Sequence, residues 1–579
     1  MPQIYPKKIK NQIYYYYQYT YREKVDPALS GKKRGSGKSR VRTISVFLGT
    51  AESIYETLKT GKPTEVAYRE FGLIAAGYQA AKQIGLIDAL RKHIPGKRYG
   101  IFKWIFFLVT IINRLDCATS KEQMGKWASK TILPELLEFN ADILNSKTFW
   151  YVTDDVISEK EVNKKRLKNP GLNDDLFAGI TATVFENIEN EIWPQLAGLL
   201  GGSIEGLIYD TTNFFTYIEE PASSMLAKSG HNKDSRHSLK QIGLALLVEK
   251  VWGMPIFHRI YKGNSHDSKT FSGIITELLK RIKAAITDIE DLVLVIDKGN
   301  NSEDNFNKLK GQINWVGSLT TSHYPQLIKK NLSEYSGRYG KYKYYRTDME
   351  IMGMKCAVVV TYNEDLHKKQ QYTLQAGIGK LKKKLQEKFD SYKMLPQKLT
   401  KGITSLKEAD RYGAYVDVAV EDKKLVFTPL RDKMEAKEKF LGKNIIFSDK
   451  TDAESGWIIA QYKQKEKVED DFKVLKSPDI IRFRPVRHWT DTKIYAYGFC
   501  CIMALILIKV MQIQADRIGL KMSRVVLKKE LKDMKEIIMI YGKDRAEKQI
   551  SQRSSIQQKL WQLFDLMQVE KAVNHTLST

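Results

Sequence analysis

A short run near the middle of the chain limits the possible folds. Leu292–Ile296 is apolar at every position and ends in an acid, Asp297. A strand that is apolar throughout is buried on both faces, as the central strands of an α/β sheet are. The predicted elements before it are three strands and a helix, in this order: Ile204–Phe215, Leu239–Val248, Pro255–Tyr261 and Ser268–Lys283. This order predicts a mixed sheet flanked by helices.

The same order of elements is that of an RNase H-like sheet. In such a sheet, Asp210 of the first strand and Asp297 would lie where the fold assembles its metal site. Burying two neighbouring carboxylates is costly unless a cation offsets their charge. Two simpler interpretations stay open: Asp210 as a turn or cap acid, and Asp297 as an acid that opens the Lys298–Gly299 turn.

A second informative stretch, Trp457–Lys476, is predicted to form one helix. Thr451–Glu454 fits a capping box that would start it, and Ser477–Pro478 would stop it. At about 100° per residue, four functional side chains fall within roughly 60° of one another, and these are Tyr462, Lys465, Glu469 and Lys476. Asp471 falls on the opposite face and is expected to point towards solvent or another domain. A solvated helix rich in Lys and Glu is the alternative.

The spacing Tyr462-x2-Lys465-x3-Glu469-x6-Lys476 resembles the Y-R-E-K signature of insertion-sequence transposases of the DDE class. The resemblance implies that Glu469 is the third metal-binding acid beside Asp210 and Asp297. It implies two Mg²⁺ ions, for which Mn²⁺ would substitute. The sequence departs from the signature at Lys465, where the family mostly has Arg, so a charge is kept but a bidentate phosphate contact is lost.

The resemblance spans about residues 200 to 510, including Arg484–Trp489 after the signature helix. It implies that Lys465 and Lys476 hold phosphates and that Tyr462 orients or stacks on the terminal nucleotide. The predicted DNA contacts are Tyr462, Lys465, Lys476, Arg484, Arg487 and Lys298.

The charge of the chain favours a polyanionic partner. Its 579 residues carry 94 Lys and Arg against 67 Asp and Glu, a formal net charge of +27. Nucleic acid is the first expectation. A lysine content that serves solubility or thermostability is the alternative.

The chain is too long for one core, and its patterns predict a division into several domains. The fold class is α/β, an RNase H-like core interrupted by a β-rich insertion, with a helical DNA-binding region before it and helices after it. The predicted units are 1–60, a basic Tyr-rich hairpin; 61–200, the helical DNA-binding region; 201–320, the first part of the core; 321–450, the insertion; 451–515, the second part with the Glu helix; and 516–579, the C-terminal helices.

The hairpin would carry a basic tip rich in Lys and Arg, between Tyr14–Arg22 and Val41–Val46. Gly35–Ser39 within it looks like a phosphate-binding loop, but Lys32 stands where the first glycine would be, so that interpretation fails. Contacts of the tip with the phosphate backbone, or a disordered charged loop, remain open.

The four cysteines show no spacing typical of zinc ligands, and with no leader segment a reducing cytoplasm is expected. Ile494–Ile508 is shorter than the ~20 residues a bilayer needs, so it is predicted to be a buried helix and no membrane partner is expected.

These features together predict a cytoplasmic, prokaryotic, nucleoid-associated DDE transposase. It would act as a homodimer that binds the terminal inverted repeats and target DNA, and it would catalyse metal-dependent strand cleavage and strand transfer. Two alternatives are a nuclease of the same fold without strand transfer, and a non-catalytic domesticated DNA-binding protein.

Overall fold

The computed structural model describes most of the chain. The described residues are 2–24, 39–59, 63, 65–168, 183–201, 204–218, 224–230, 238–286, 291–392, 396–421, 424–541 and 545–575. Within them the protein is a mixed α/β fold, with a large mixed sheet and many helices.

The N-terminus forms a three-stranded antiparallel sheet followed by a helix. Its elements are β1 (Gln3–Ile9), β2 (Gln12–Lys24), β3 (Ser39–Gly49) and α1 (Ala51–Lys59). The predicted hairpin is β2 paired with β3, and β1 adds a third strand that was not predicted. The centre of the basic tip and most of the Gly35–Ser39 segment lie outside the described residues.

The next region is mainly helical, as predicted. Its elements are β4 (Glu65–Glu70), α2 (Gly72–Gln83), α3 (Leu86–His93), β5 (Lys97–Arg98), β6 (Ile101–Phe102), α4 (Lys103–Asp116), α5 (Met124–Ala128), α6 (Leu133–Leu136), α7 (Ser146–Val156), α8 (Glu159–Lys168) and α9 (Thr183–Leu200). Helix α4 is buried from Trp104 to Asp116. Because it is apolar over most of its circumference, it has to lie inside the protein.

A nine-stranded sheet follows. Its strands and the helices between them are β7 (Gly206–Phe215), β8 (Gln241–Glu249), β9 (Pro255–Lys262), α10 (Asp267–Ala285), β10 (Val293–Ile296), α11 (Glu303–Leu309), β11 (Asn314–Leu319), α12 (Pro325–Ile328), β12 (Gly337–Tyr339), β13 (Tyr342–Ile351), β14 (Met354–Asn363), α13 (Glu364–Tyr392), α14 (Pro396–Ala409), β15 (Val416–Glu421), β16 (Lys424–Pro429), α15 (Arg431–Glu438) and β17 (Lys443–Ser448).

The strand order of this sheet is β12-β13-β14-β17-β11-β10-β7-β8-β9. β10 pairs in parallel with both β7 and β11, and the remaining pairs are antiparallel. β12 to β14, from the region predicted as an insertion, therefore extend the same sheet. The hairpin β15-β16 pairs separately and shares a small apolar core with α13 and α14.

The chain ends with helices and a second hairpin. These are α16 (Ser455–Lys463), α17 (Glu466–Lys476), α18 (Asp491–Arg517), α19 (Arg524–Lys532), β18 (Lys535–Tyr541), β19 (Arg545–Ile550), α20 (Ser555–Leu563) and α21 (Leu566–His575). Only helices were expected after Thr490, so the β18-β19 hairpin is a difference. It arises because β18 pairs with β4 of the N-terminal region.

Helix α18 is the centre of the main core. It packs against α4, α2 and β9, and one continuous apolar cluster runs from Phe71 to Val573. By length and composition α18 is the one helix in the described residues that could cross a membrane, and 94% of its most apolar window is buried inside the protein. The predicted buried helix is confirmed.

Buried ion pairs fasten α9 to the sheet. His258 Nδ1 lies 2.8 Å from Glu189 Oε1, and Arg281 donates to the same carboxylate over 3.0 Å. Burial alone would raise the pKa of Glu189, but His258 and Arg281 outweigh it and lower that pKa. The helical region and the sheet are thus joined by charge as well as by apolar packing.

Candidate active site

The candidate site begins at two neighbouring parallel strands. Tyr209 of β7 lies beside Ile296 of β10, so Asp210 and Asp297 are the next residues on adjacent strands. Asp210 is 8% exposed, and its Oδ1 accepts a hydrogen bond from the backbone N–H of Thr211 over 2.8 Å. The apolar strands thus bring two acids to one edge of the buried sheet, as the sequence predicted.

Lys465 lies between the acids. Its Nζ is 2.9 Å from Asp297 Oδ2 and 3.5 Å from Glu469 Oε1. Burial alone would lower the pKa of the Lys465 ammonium, but the charges of Asp210 and Asp297 outweigh burial and raise that pKa. One ammonium therefore faces three carboxylates.

The Asp297 carboxylate is held as an anion. Burial favours its neutral form, but Lys465 and the backbone and charge of Lys298 overcome this and lower the pKa of Asp297. The Tyr462 hydroxyl lies 3.3 Å from Asp297 Oδ1 and 2.8 Å from Ser318 Oγ. Burial, reinforced by Asp297, raises the pKa of Tyr462 to about 12. Tyr462 is therefore a neutral donor at neutral pH.

The signature stretch is two helices and not one. α16 ends at Lys463 and α17 begins at Glu466, and the turn between them is closed by tighter hydrogen bonds, such as Lys465 N to Tyr462 O at 3.2 Å. The predicted capping box is wrong, because Glu454 is the N-cap and makes no side-chain cap bond. The predicted stop is confirmed, with Ser477 as the C-cap.

Two acids of α17, Glu469 and Asp471, have different surroundings. The Glu469 side chain is 48% exposed, whereas Asp471 is fully buried and its Oδ1 lies 2.6 Å from Lys509 Nζ of α18. Asp471 therefore points away from the site, but into the core rather than to solvent. Burial raises the pKa of Asp471, and it lowers the pKa of Lys509 to about 8.

One acid near the site, Asp267, was missed by sequence reasoning. It is the first residue of α10, and its Oδ1 lies 3.3 Å from the hydroxyl of Tyr261. A Cβ on Gly299, two residues after Asp297, would come within 3.1 Å of Asp267 Oδ2. From the sequence alone, Asp267 looks like an ordinary acid in the first turn of a helix, because acidic side chains are favourable at helix N-termini.

Of the other predicted DNA contacts, three lie away from the acids and Lys298 lies beside Asp297. Lys476, Arg484 and Arg487 lie over a row of aromatic rings at the end of β7. Their charged groups are 5.6, 5.6 and 5.2 Å from the ring centres of Phe214, Phe215 and Tyr217, respectively. Backbone hydrogen bonds between Val486 and residues 215 and 217 hold this segment against the strand. Lys298 is exposed at the end of β10.

The acids near Lys465 have the right chemistry for a hard divalent cation, but their present arrangement is not that of a metal site. Over the described part of the chain, no three or more His, Cys, Asp or Glu side chains form a group that could hold a metal ion. Three carboxylates nevertheless surround the Lys465 ammonium, and carboxylate oxygens are what Mg²⁺ prefers. For these oxygens to reach a shared ion, Lys465 Nζ would have to leave its present position.

Comparison with solved structures gives weak similarity. No protein-family model matches this chain, and no curated protein matches it. A cryo-EM structure of a piggyBac transposase synaptic complex with hairpin DNA is similar with a TM-score of 0.39 and 9% sequence identity, over 81% of this chain and 82% of that chain. At this level of similarity, function has to be inferred from the residues of this chain.

Proposed function

We propose that this protein is a DDE transposase that binds the two ends of a mobile DNA element and cuts and joins DNA strands with the help of two Mg²⁺ ions. The observation that carries the proposal is the meeting of Asp210, Asp297 and Glu469 around the one ammonium of Lys465, whose side chain is 17% exposed. The strand order β9-β8-β7-β10-β11, with the acids on β7 and after β10, supports the RNase H-like arrangement that the sequence predicted.

Charge balance supports a role for divalent cations. The three carboxylates carry three negative charges, and Lys465 compensates one of them. In a partly buried place the remaining two negative charges are costly, and one divalent cation would offset them. With Lys465 released, two divalent cations would more than balance the three carboxylates, and the excess positive charge would attract a DNA phosphate. Mn²⁺ would substitute for Mg²⁺, because it takes the same oxygen ligands.

The residues of the chain have separable tasks in this proposal. Asp210, Asp297 and Glu469 would hold the ions, which when bound would activate the attacking oxygen and stabilise the leaving oxygen of a phosphodiester. Lys465, released from Asp297, would bind a DNA phosphate. The Tyr462 hydroxyl would keep the Asp297 carboxylate oriented through its 3.3 Å contact.

A strand-transfer assay tests the proposal. The purified protein is incubated with Mg²⁺, a plasmid and labelled fragments that carry the DNA bordering its gene on both sides. A transposase gives fragments joined to the plasmid. Nicked or cut DNA without joined products would indicate a nuclease, and binding without any cutting would indicate a DNA-binding protein; either result contradicts the proposal.

The matched control lies on the same helix as Glu469. Asp470 is exposed and pairs with Lys473 at 2.7 Å, away from the three acids. Asp470→Asn should join strands like the unchanged protein, whereas Glu469→Gln should join none. Equal loss in both variants would point to damage of helix α17 and not to a metal ligand.

A further inference from the structure

A cationic cavity lies between the helical region and the segment that follows α17. Its volume is about 600 Å³, which is within the range of pockets that bind small organic ligands. Five cations and one acid line it: Arg114, Lys121, Arg482, Arg484, Arg487 and Glu122. We call this cavity the arginine groove.

Among the residues that the structure describes, no carboxylate pairs with the positive charge at the base of the groove. Arg114 is 5% exposed, and it donates hydrogen bonds to neutral acceptors, such as the hydroxyl of Tyr497 at 3.2 Å and Asn113 Oδ1 at 2.5 Å. Its Nε is buried without a hydrogen-bond partner. A buried guanidinium without a counter-charge is costly, so an anion would be favoured here.

Lys121 adds to this charge. No ion pair involving Lys121 occurs among the described residues, and burial, together with the nearby cations Lys493 and Arg114, lowers its pKa to about 8. Most Lys121 side chains are still charged at neutral pH. The one acid of the groove, Glu122, accepts a hydrogen bond from the backbone N–H of Ser146 at 3.2 Å.

His488 provides an unused polar atom in the same wall. Its ring stacks on Tyr497 with 4.4 Å between ring centres, and its Nδ1 is buried without a hydrogen-bond partner. Burial and the charges of Lys121 and Arg114 hold the pKa of His488 well below its usual value. The neutral imidazole can donate or accept one more hydrogen bond.

Two tryptophans stand at the groove with exposed rings. Trp150 of α7 is 41% exposed and Trp489 is 58% exposed. Large aromatic rings are normally buried, so their exposure beside cations calls for a ligand with flat faces and negative charge. Nucleotides of an unpaired DNA strand have both, because their bases stack on aromatic rings and their phosphates bind Arg and Lys.

We propose that the arginine groove binds an unpaired nucleotide of a DNA strand, with its base against Trp489 or Trp150 and its phosphate at Arg487 and Lys121. A base in a duplex is stacked on its neighbours on both sides, so its face is not available to these rings. The groove is therefore selective for unpaired DNA. Binding at this groove goes beyond the proposed cleavage chemistry and does not depend on it.

The groove lies at the far end of the strand that carries Asp210. Val486, in the segment that lines the groove, bridges to Thr216, six residues beyond Asp210. At about 3.3 Å per residue, the two places are roughly 20 Å apart along β7. Lys476 and Arg484 stand over Phe214 and Phe215 between them. A DNA strand of a few nucleotides could therefore reach from the acids to the groove.

Binding of two oligonucleotides tests the proposal with the full-length protein. The probes are a fluorescein-labelled oligodeoxythymidine of about ten nucleotides and an abasic strand of the same length, followed by fluorescence anisotropy. Trp489→Ala should weaken binding of the base-bearing strand about 5- to 150-fold and leave the abasic strand within about twofold. Tyr372→Ala on α13, where the ring is 73% exposed, is the matched control and should change neither.

Arg487→Gln should weaken both strands and reduce the slope of log affinity against log salt by about 0.7, since one phosphate contact is lost. If inorganic phosphate displaces both strands equally and Trp489→Ala and Trp150→Ala have no effect, the groove is a plain anion site and the proposal is wrong. It is also wrong if the unchanged protein does not bind the base-bearing strand.

Photo-cross-linking locates the bound base independently. A strand with 5-iododeoxyuridine should link to the peptides that contain Trp489 or Trp150, and cross-links confined to other regions would overturn the proposal. Neither measurement needs Mg²⁺ or strand cleavage. The proposal for the groove is therefore tested separately from the proposed transposase activity.

Discussion

The acid cluster and the arginine groove, which lie along the same strand, have opposite charge balances. Around Asp297, three carboxylates share the one ammonium of Lys465. In the groove, five cations face one carboxylate, Glu122. Within the described residues, each site has an excess of one sign of charge, and a bound ligand of the opposite sign would reduce its cost.

The two sites also differ in whether a side chain has to move before a ligand can bind. The acids sit on or beside buried strands, so their positions are fixed by backbone pairing. Lys465 lies in the turn between α16 and α17, and in the proposed function its side chain would leave the acids when metal ions bind. The groove is lined by α4 and by the segment around Arg487, which β7 holds through backbone bonds at Val486. We therefore expect metal ions to replace the Lys465 ammonium at the acid cluster. We expect the groove to bind its ligand without displacing a side chain.

The largest effect should come from removing a carboxylate of the acid cluster. Asp210→Asn, Asp297→Asn and Glu469→Gln should each reduce Mg²⁺-dependent strand cleavage by roughly 10³-fold or more, because each loses an ion ligand. Binding of duplex DNA should remain close to that of the unchanged protein. Cleavage gels and anisotropy measure the two, and a variant that cuts at the original rate would remove its residue from the site.

The next largest effect concerns stability and should distinguish two acids of α17, Asp471 and Glu469. Asp471→Asn leaves the buried Lys509 ammonium without its partner at 2.6 Å, which should lower the free energy of unfolding by about 3–5 kcal/mol. Urea unfolding followed by circular dichroism measures it. Glu469→Gln, at a half-exposed position, should leave stability nearly unchanged.

The control for this pair is a double variant. Asp471→Asn with Lys509→Met removes both charges, so part of the lost stability should return. Unchanged stability in the single variant would show that the buried pair contributes nothing to the fold.

An intermediate effect is expected when the cation of the acid cluster is removed. Lys465→Gln leaves the carboxylates uncompensated, so Mn²⁺ should bind about tenfold more tightly in calorimetric titrations. The salt dependence of DNA binding should lose about one unit of slope, as one phosphate contact is lost. Lys463→Gln, an exposed position of α16, is the control. Weaker Mn²⁺ binding in Lys465→Gln would show that the ammonium does not occupy the place of an ion.

The sequence was sufficient where local patterns decide the structure. Apolar runs identified β7 to β10, and helix periodicity placed Tyr462, Lys465 and Glu469 on one side of a helical stretch. There Tyr462 and Lys465 contact Asp297, and Lys465 contacts Glu469. The roles of these residues stay predictions, as does the division into domains.

Long-range pairing decided what the sequence could not show. Strand β18 exists because it pairs with β4, more than four hundred residues earlier in the chain. The arginine groove joins Arg114 and Trp150 to Arg487 and Trp489, which no spacing pattern connects. Asp471 was expected to face solvent or another domain, because helical phase shows which way a side chain points. Phase does not show that the buried Lys509 of α18 lies there.

The smallest effect should come from one hydroxyl beside the acids. Tyr462→Phe keeps the ring and removes the oxygen that lies 2.8 Å from Ser318 Oγ and 3.3 Å from Asp297 Oδ1. A neutral hydrogen bond contributes about 0.5–1.5 kcal/mol, so cleavage should fall about two- to tenfold while DNA binding stays unchanged. Ser318→Ala should have a similar effect, and the two changes together should cost less than their sum because they share one contact. Single-turnover cleavage rates measure all three variants. A loss in Tyr462→Phe as large as in Asp297→Asn would mean that the hydroxyl takes part in the reaction itself and does not merely orient the carboxylate.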